Sequence, residues 1–142
     1  YLLGGATAGM HVRIGAPAGY QPDAVVLSAA GAIAARTGGS VVAVSDPVSA
    51  VEGADVVATD TWVSMGQDGK EDRVRDLMPY QVNTELLEHA DPGAIVLHCL
   101  PAYRGNEITA EVLEGPRSAV WDQAENRLHA QKALLHWLVN RR

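Results

Sequence analysis

The stretch RTGGSVVAVSDPVSAVEGADVVATD, residues 36–60, decides how this chain folds. Gly38 and Gly39 mark the end of a helix, because a left-handed glycine is the common way to close one. SVVAVSD (40–46) follows at once as an unbroken apolar run, the pattern of a parallel strand covered on both faces. A short helix near 47–53 and a second strand, DVVATD at 55–60, complete a strand–helix–strand unit. The same alternation extends in both directions. Upstream, AVVLSAAGAIAARTGG reads as an Ala-rich helix with Asp23 as its N-cap, preceded by the turn PAGYQP and a short strand over 10–15. YLLGGATAGM begins mid-pattern and reads as the second half of a helix ending at Gly9, so the chain is expected to be a fragment. Downstream come a polar loop through Pro79, a helix starting near Asn83, the strand AIVLHC (94–99), and a short helix to Leu113. A strand SAVWD (118–122) and a final helix from about Glu125 to Asn140 close the sequence. Strands that alternate with helices imply parallel neighbours joined by right-handed crossovers. The predicted fold is therefore α/β: a doubly wound parallel sheet flanked by helices, a Rossmann-like three-layer sandwich. No internal repeat, low-complexity tract or domain boundary is visible.

Composition narrows the function. With 142 residues, 47% hydrophobic and 20% charged, the chain has enough apolar material for one core and too much for disorder. No apolar run approaches the roughly 20 residues that cross a bilayer. A net charge of -6 argues against a nucleic-acid surface, which needs clustered Lys and Arg. The single cysteine forms no internal disulfide and no signal segment is evident, so the expected setting is the reducing cytoplasm.

In parallel sheets, ligands bind beyond the carboxyl ends of the strands. Three strands end in polar residues, at Asp60, at His98-Cys99 and at Asp122-Gln123, and one sheet edge would bring them to a common crevice. Taken alone, Cys99 is more often a small apolar filler, and His98 a capped or hydrogen-bonded core residue. A His-Cys pair is too few ligands, at the wrong spacing, for zinc, so no metal is expected. GGATAG precedes a strand where a dinucleotide fingerprint must follow one, and no P-loop or nucleophile elbow occurs. No cofactor is expected. TDTWVSMGQ (59–67) could be an Asx turn with Trp62 packed on the surface. It also offers a carboxylate (Asp60), a hydroxyl (Ser64) and backbone N–H groups at Met65 and Gly66, which suit the ammonium and carboxylate of an amino acid. Arg127 falls early in the last helix, either as a solvated charge paired with Glu125 or Asp122, or as a fork aimed at a carbonyl or phosphate oxygen.

Together, DTWVSMG, HCLPAYRG and AENRLHAQKA, in this order, resemble the ornithine-binding half of the ornithine carbamoyltransferase family; AGMHVRIGAPAGYQPD and YQVNTELL extend the likeness over essentially the whole chain. HCLP occurs in several carbamoyltransferases, and SMG is what points to ornithine. The resemblance implies a transferase of arginine biosynthesis in which the δ-amine of L-ornithine attacks carbamoyl phosphate to give citrulline and phosphate. It implies that Asp60 and Ser64 hold the α-amino group, that the Met65 backbone holds the α-carboxylate, and that Cys99 and the Leu100 backbone lie at the reacting amine. Arg127 would contact the carbamoyl oxygen, and the Leu100–Pro101 bond would be cis. The catalytic set so implied is Cys99, Asp60 and Arg127. Residues 1–142 would be the ornithine-binding domain, with the carbamoyl-phosphate loop in a preceding domain that the chain lacks. The final helix would pack on that domain, so that the apolar face of ALLHWLV would be exposed or repacked here. A homotrimer is implied for the complete enzyme.

Two alternatives stand beside this expectation. A sister enzyme acting on putrescine or another amine would have no need of SMG to hold an α-carboxylate. A non-catalytic amino-acid-binding module would fit a chain that is naturally this short.

Overall fold

The structure, a computed structural model, describes residues 1–63 and 70–141, with nothing described of the Lys70 side chain. Among the described residues four strands and seven α-helices alternate, and every strand pairing is parallel, as the α/β expectation requires. The contacts divide the chain into two compact units, Tyr1–Gly53 and Ala54–Arg142. The sequence shows no such division, because Gly53 sits inside an unbroken strand–helix–strand pattern.

The first unit contains α1 (Leu2–Thr7), β1 (His11–Gly15), α2 (Ala24–Thr37), β2 (Ser40–Val44) and α3 (Pro47–Val51). β1 lies parallel to β2, from His11 opposite Ser40 to Gly15 opposite Val44. Local chemistry sets the helix boundaries. Asp23 caps α2 by accepting the Val25 N–H at 2.7 Å, and Gly38 closes it at φ 83°, where a side chain would be strained. Asp46 caps α3 by accepting the Ser49 N–H at 2.7 Å. Pro47 follows at the first helical position, where a missing N–H does no harm. The core is built from small residues: Ala6, Ala30 and Ala34 with Leu2, packed by Val12, Ile14 and Leu27. Small side chains let α1 and α2 approach closely without a large aromatic, which suits a sequence with no Phe.

The second unit contains β3 (Val56–Thr59), α4 (Lys70–Leu77), α5 (Thr84–Leu87), β4 (Ile95–His98), α6 (Ala110–Leu113) and α7 (Val120–Asn140). β3 and β4 are parallel, from Val56 opposite Ile95 to Thr59 opposite His98. The core at 0% exposure comprises Val96, Ile108, Leu113 and Val120, with His98 among them. Two expectations change here. The strand expected at 118–122 shrinks to a bridge between Ser118 and Val96, and α7 begins at Val120 rather than near Glu125. Asp122 thus belongs to the first turn of a helix, where its negative charge is favourable. The helix α4 also lies where a polar loop was expected. KEDRVRDL has no apolar stripe to betray it. It has Glu71 and Asp72 in its first turn and an Arg75–Asp72 pair one turn apart at 2.8 Å, and these stabilise a solvated helix.

Past its first turn α7 is exposed: Leu135, Trp137 and Val139 are 62%, 51% and 79% accessible. The ALLHWLV face is exposed rather than repacked. No helix among the described residues is long and apolar enough to cross a membrane.

Leu113 anchors the core of the second unit. Leu113→Ala leaves a cavity that the surrounding strand and helices fill only in part, and is expected to destabilise the protein by about 2–5 kcal/mol. The measurement is a shift in denaturant midpoint at unchanged slope; a change under about 0.5 kcal/mol would contradict this description of the core.

Candidate functional site

Register creates the site. With Thr59 opposite His98 in a parallel pair, the next residues on the two strands, Asp60 and Cys99, leave the sheet side by side. The Cys99 thiol donates to Asp60 Oδ1 at 3.0 Å, and the Thr61 N–H donates to the same oxygen at 2.7 Å. The Thr61 hydroxyl reaches across to the Pro101 carbonyl at 2.6 Å and ties the exit of β3 to the loop that follows β4. Trp62 is buried rather than resting on the surface.

The loop after β4 has an unusual backbone. Leu100 sits at φ 58°, and the Leu100–Pro101 bond is cis, as the family resemblance implies. Beneath this turn lies His98. Its Nδ1 accepts the Leu100 N–H at 2.8 Å, so that nitrogen carries a lone pair and Nε2 carries the proton. Nε2 therefore donates to Glu107 Oε1, 3.1 Å away, an oxygen that also accepts the Tyr103 N–H at 2.6 Å. The His98 N–H in turn donates to Gln123 Oε1 at 3.0 Å. One turn further along α7, Arg127 Nη1 stands 3.5 Å from the Cys99 carbonyl oxygen. Arg127 is exposed and among the described residues makes no ion pair, either with Glu125 or with Asp122.

The thiol is held in its protonated form. The hydrogen bond to the Asp60 carboxylate raises the Cys99 pKa first, burial next, and the Asp60 charge after that, while the Cys99 backbone and the Arg127 charge pull the other way. At this edge Cys99 is the donor and Asp60 the acceptor. Asp60, His98 and Cys99 bring potential metal-ligating atoms within 4.8 Å of one another. The imidazole lone pair is already engaged by the Leu100 N–H, which leaves, among the described residues, a carboxylate and a neutral thiol, fewer than the three or four ligands of a zinc site.

Of the residues singled out from sequence, Asp60, Cys99, Leu100 and Arg127 come together. Ser64 and Met65 lie outside the described residues. Of Asp122 and Gln123, it is the Gln123 side chain that meets the strand end, at the His98 N–H. Arg104, in the same loop, turns away to pair with Glu114. The sequence reading missed Glu107 and the Thr61 hydroxyl. Glu107 lies in the polar run RGNEI and gives no sign of burial, although its 1% exposure makes it, with His98, one of two buried polar residues among those described.

Comparisons with known proteins give the family of this chain. Residues 1–138 match the family model described as aspartate/ornithine carbamoyltransferase, Asp/Orn binding domain. The chain is 66% identical over 140 residues to an ornithine carbamoyltransferase of Clavibacter michiganensis, covering 98% of this chain and 46% of that one. Among solved structures it is similar to ornithine carbamoyltransferase from Pyrococcus furiosus, with TM-score 0.89 and 50% identity over 94% of this chain and 43% of that chain. It is also similar to an anabolic ornithine carbamoyltransferase from Campylobacter jejuni, with TM-score 0.91 and 35% identity over 99% and 47%. The Rossmann-like α/β expectation holds, and the chain spans about half the length of the curated relatives it matches.

A thiol that hydrogen-bonds a carboxylate reacts slowly with alkylating reagents, because the thiolate is the nucleophile. The rise of Cys99 labelling with pH is expected above the ordinary thiol range, since the folded pKa is raised. Asp60→Asn should bring that rise down in pH. The sign for stability follows: the native thiol keeps its proton where the unfolded one has lost it, so stability declines as pH rises from the ordinary thiol range through the raised folded value. A labelling profile unchanged by Asp60→Asn would remove Asp60 as the cause.

Proposed function

Since the chain belongs to the aspartate/ornithine carbamoyltransferase family, as an Asp/Orn-binding domain, we propose that it supplies the ornithine-binding half of a carbamoyltransferase. The reaction moves the carbamoyl group of carbamoyl phosphate to the δ-amine of L-ornithine and releases L-citrulline and phosphate, within arginine biosynthesis. The observation that carries this reading is the contact of Cys99 with Asp60 at 3.0 Å, at the carboxyl ends of adjacent parallel strands, where such sheets bind ligands.

Ornithine brings two ammonium groups and one carboxylate. Asp60 is an exposed carboxylate at the site edge, suited to an ammonium; Ser64 and the Met65 backbone complete the amino-acid grip in this proposal. The δ-amine, with a free pKa near 10.4, is a poor nucleophile until it loses a proton. The Asp60 carboxylate, beside Cys99 at the reacting centre, takes that proton as general base, and the second proton that the nitrogen sheds on forming its new bond leaves with the phosphate. The amine nitrogen then forms its bond to the carbonyl carbon, and the bond from that carbon to the phosphate oxygen breaks with phosphate leaving. Negative charge grows on the carbamoyl oxygen meanwhile. Arg127, unpaired with any carboxylate among the described residues, is the donor for it, and a group in that role is worth about 3 kcal/mol. The Leu100 carbonyl, aimed by its unusual φ, is the backbone acceptor for the amine or the carbamoyl group.

Carbamoyl phosphate as second substrate, a homotrimeric assembly and a cytoplasmic setting belong to the same proposal. A single free cysteine suits a reducing compartment. The relatives' names favour ornithine over putrescine or a non-catalytic role.

Two variants test the assignments in the enzyme that contains this chain. Asp60→Asn keeps the shape and removes the charge. Ornithine affinity is expected to fall by about 2–4 kcal/mol with carbamoyl phosphate binding nearly unchanged, measured by calorimetry; equal losses for both would count against the role given to Asp60. Cys99→Ser is nearly isosteric, and turnover is expected to fall by about an order of magnitude or more with stability altered by only about 1 kcal/mol. Near-normal turnover would return Cys99 to the role of core filler.

A further inference from the structure

His98 and Glu107 are fully enclosed, at 0% and 1% exposure, and neither has a place in the chemistry above. Their hydrogen bonds nevertheless run to the loop that carries it. Leu100 adopts φ 58°, a conformation that a bulky side chain disfavours and that persists only where its surroundings impose it. The imposing contact is the Leu100 N–H to His98 Nδ1 bond at 2.8 Å. The Cys99–Leu100 peptide is trans, so its carbonyl points opposite to its N–H. Capture of the N–H inside therefore turns the Cys99 carbonyl outward, where Arg127 Nη1 lies 3.5 Å away. The ring can supply that acceptor only while its other nitrogen is the protonated one. Glu107 Oε1 fixes this tautomer by accepting the Nε2 proton at 3.1 Å.

Glu107 is itself immobilised. The Tyr103 N–H binds the same oxygen at 2.6 Å, the Glu107 carbonyl accepts the Val82 N–H at 2.9 Å, and Ile108 beside it is at 0% exposure. The two ends of the loop, at Leu100 and Tyr103, thus hang from one buried pair. Glu107 Oε2 has no hydrogen-bond partner among the described residues, which makes the pair a poor choice for stability alone.

We propose that Glu107 and His98 are positioning residues for carbamoyl transfer: a buried relay that sets the plane of the Cys99–Leu100 peptide and so aims the Cys99 side chain and the Leu100 carbonyl. The relay acts through Cys99 and Leu100, and in this respect it rests on the roles proposed for them above.

The test uses four variants of the active enzyme: Glu107→Leu, Glu107→Gln, His98→Leu and His98→Asn. Melting temperature, kcat, the KM of each substrate and the pH profile of Cys99 labelling are measured on each. In Glu107→Leu a small displacement of the loop is expected to lower kcat per folded molecule by about 10- to 100-fold, with the carbamoyl phosphate KM unchanged. Glutamine offers the same oxygen to His98 and Tyr103, so Glu107→Gln should recover most of that loss. His98→Asn can still accept the Leu100 N–H two residues on, as an Asx turn, and should lose less than His98→Leu. It also keeps the question open if a leucine variant fails to fold. The labelling rise of Cys99 should move to lower pH in Glu107→Leu as the contact with Asp60 loosens. Lower melting temperature with kcat and labelling both unchanged would overturn the relay, as would Glu107→Gln behaving like Glu107→Leu. A wild-type enzyme that fails to carbamoylate ornithine would overturn the transferase reading instead, and labelling alone would then decide the relay.

Discussion

In a parallel pair both strands end on the same side of the sheet, and their register decides which residues leave it together. Thr59 opposite His98 is the constraint on which the site depends. Shifting β3 by one residue against β4 would place a different residue beside Cys99 and turn the alternate set of side chains to each face. The apolar residues of the two strands hold that register. Val57 and Val96 are partners in the ladder and are 5% and 0% exposed, so a slip would carry buried valines toward solvent. Packing in the middle of the strands thereby fixes chemistry at their ends.

A second layer of control lies in the turn itself. Hydrophobic burial is not directional and cannot orient a peptide plane; hydrogen bonds can. The thiol is gripped by Asp60, the loop carbonyl at Pro101 by the Thr61 hydroxyl, and the strand end at His98 by Gln123 from α7. Each of these bonds joins segments far apart in sequence. Gln123 and Arg127, four residues apart on α7, share a face, so the helix that completes the strand end also presents the guanidinium to the Cys99 carbonyl.

Much of this was legible in the sequence, and the exceptions have physical causes. Strand–helix alternation identified the parallel class, and polar residues at strand ends identified Asp60 and Cys99, because apolar patterning and chain order encode both. Asp23, Asp46 and Asn83 act as caps through their own side chains, and Asp23 was readable for that reason. Glu107 was not, since nothing in RGNEI distinguishes a buried carboxylate from a solvated one; its burial is set by Val82 and Ile108 meeting in a bridge between distant segments. The helix α4 escaped because charge pairs rather than an apolar face support it. Arg117 and Ala119 make two ladder bonds with Val96 before the chain enters α7, and β-branched valine beside tryptophan resembles a strand whichever state tertiary contacts select. The division at Gly53 depends on long-range contacts and leaves no compositional trace.

The electrostatics of the edge follow from two opposite charges acting on one residue. Asp60 meets the Cys99 side chain and Arg127 its carbonyl, so the carboxylate dominates the thiol and the guanidinium only tempers it. Hydrogen bonding to a fixed anion favours the neutral thiol. Any cation that occupies Asp60 weakens two of the causes that raise the Cys99 pKa, the shared hydrogen bond and the negative charge, while the Arg127 contribution persists. Binding of a cationic amine and loss of the thiol proton therefore favour one another, and linkage makes the dependence mutual. A lone cysteine in an apolar gap would have no such coupling. The one in this chain acquires it because a parallel register has set a carboxylate 3.0 Å from its sulfur.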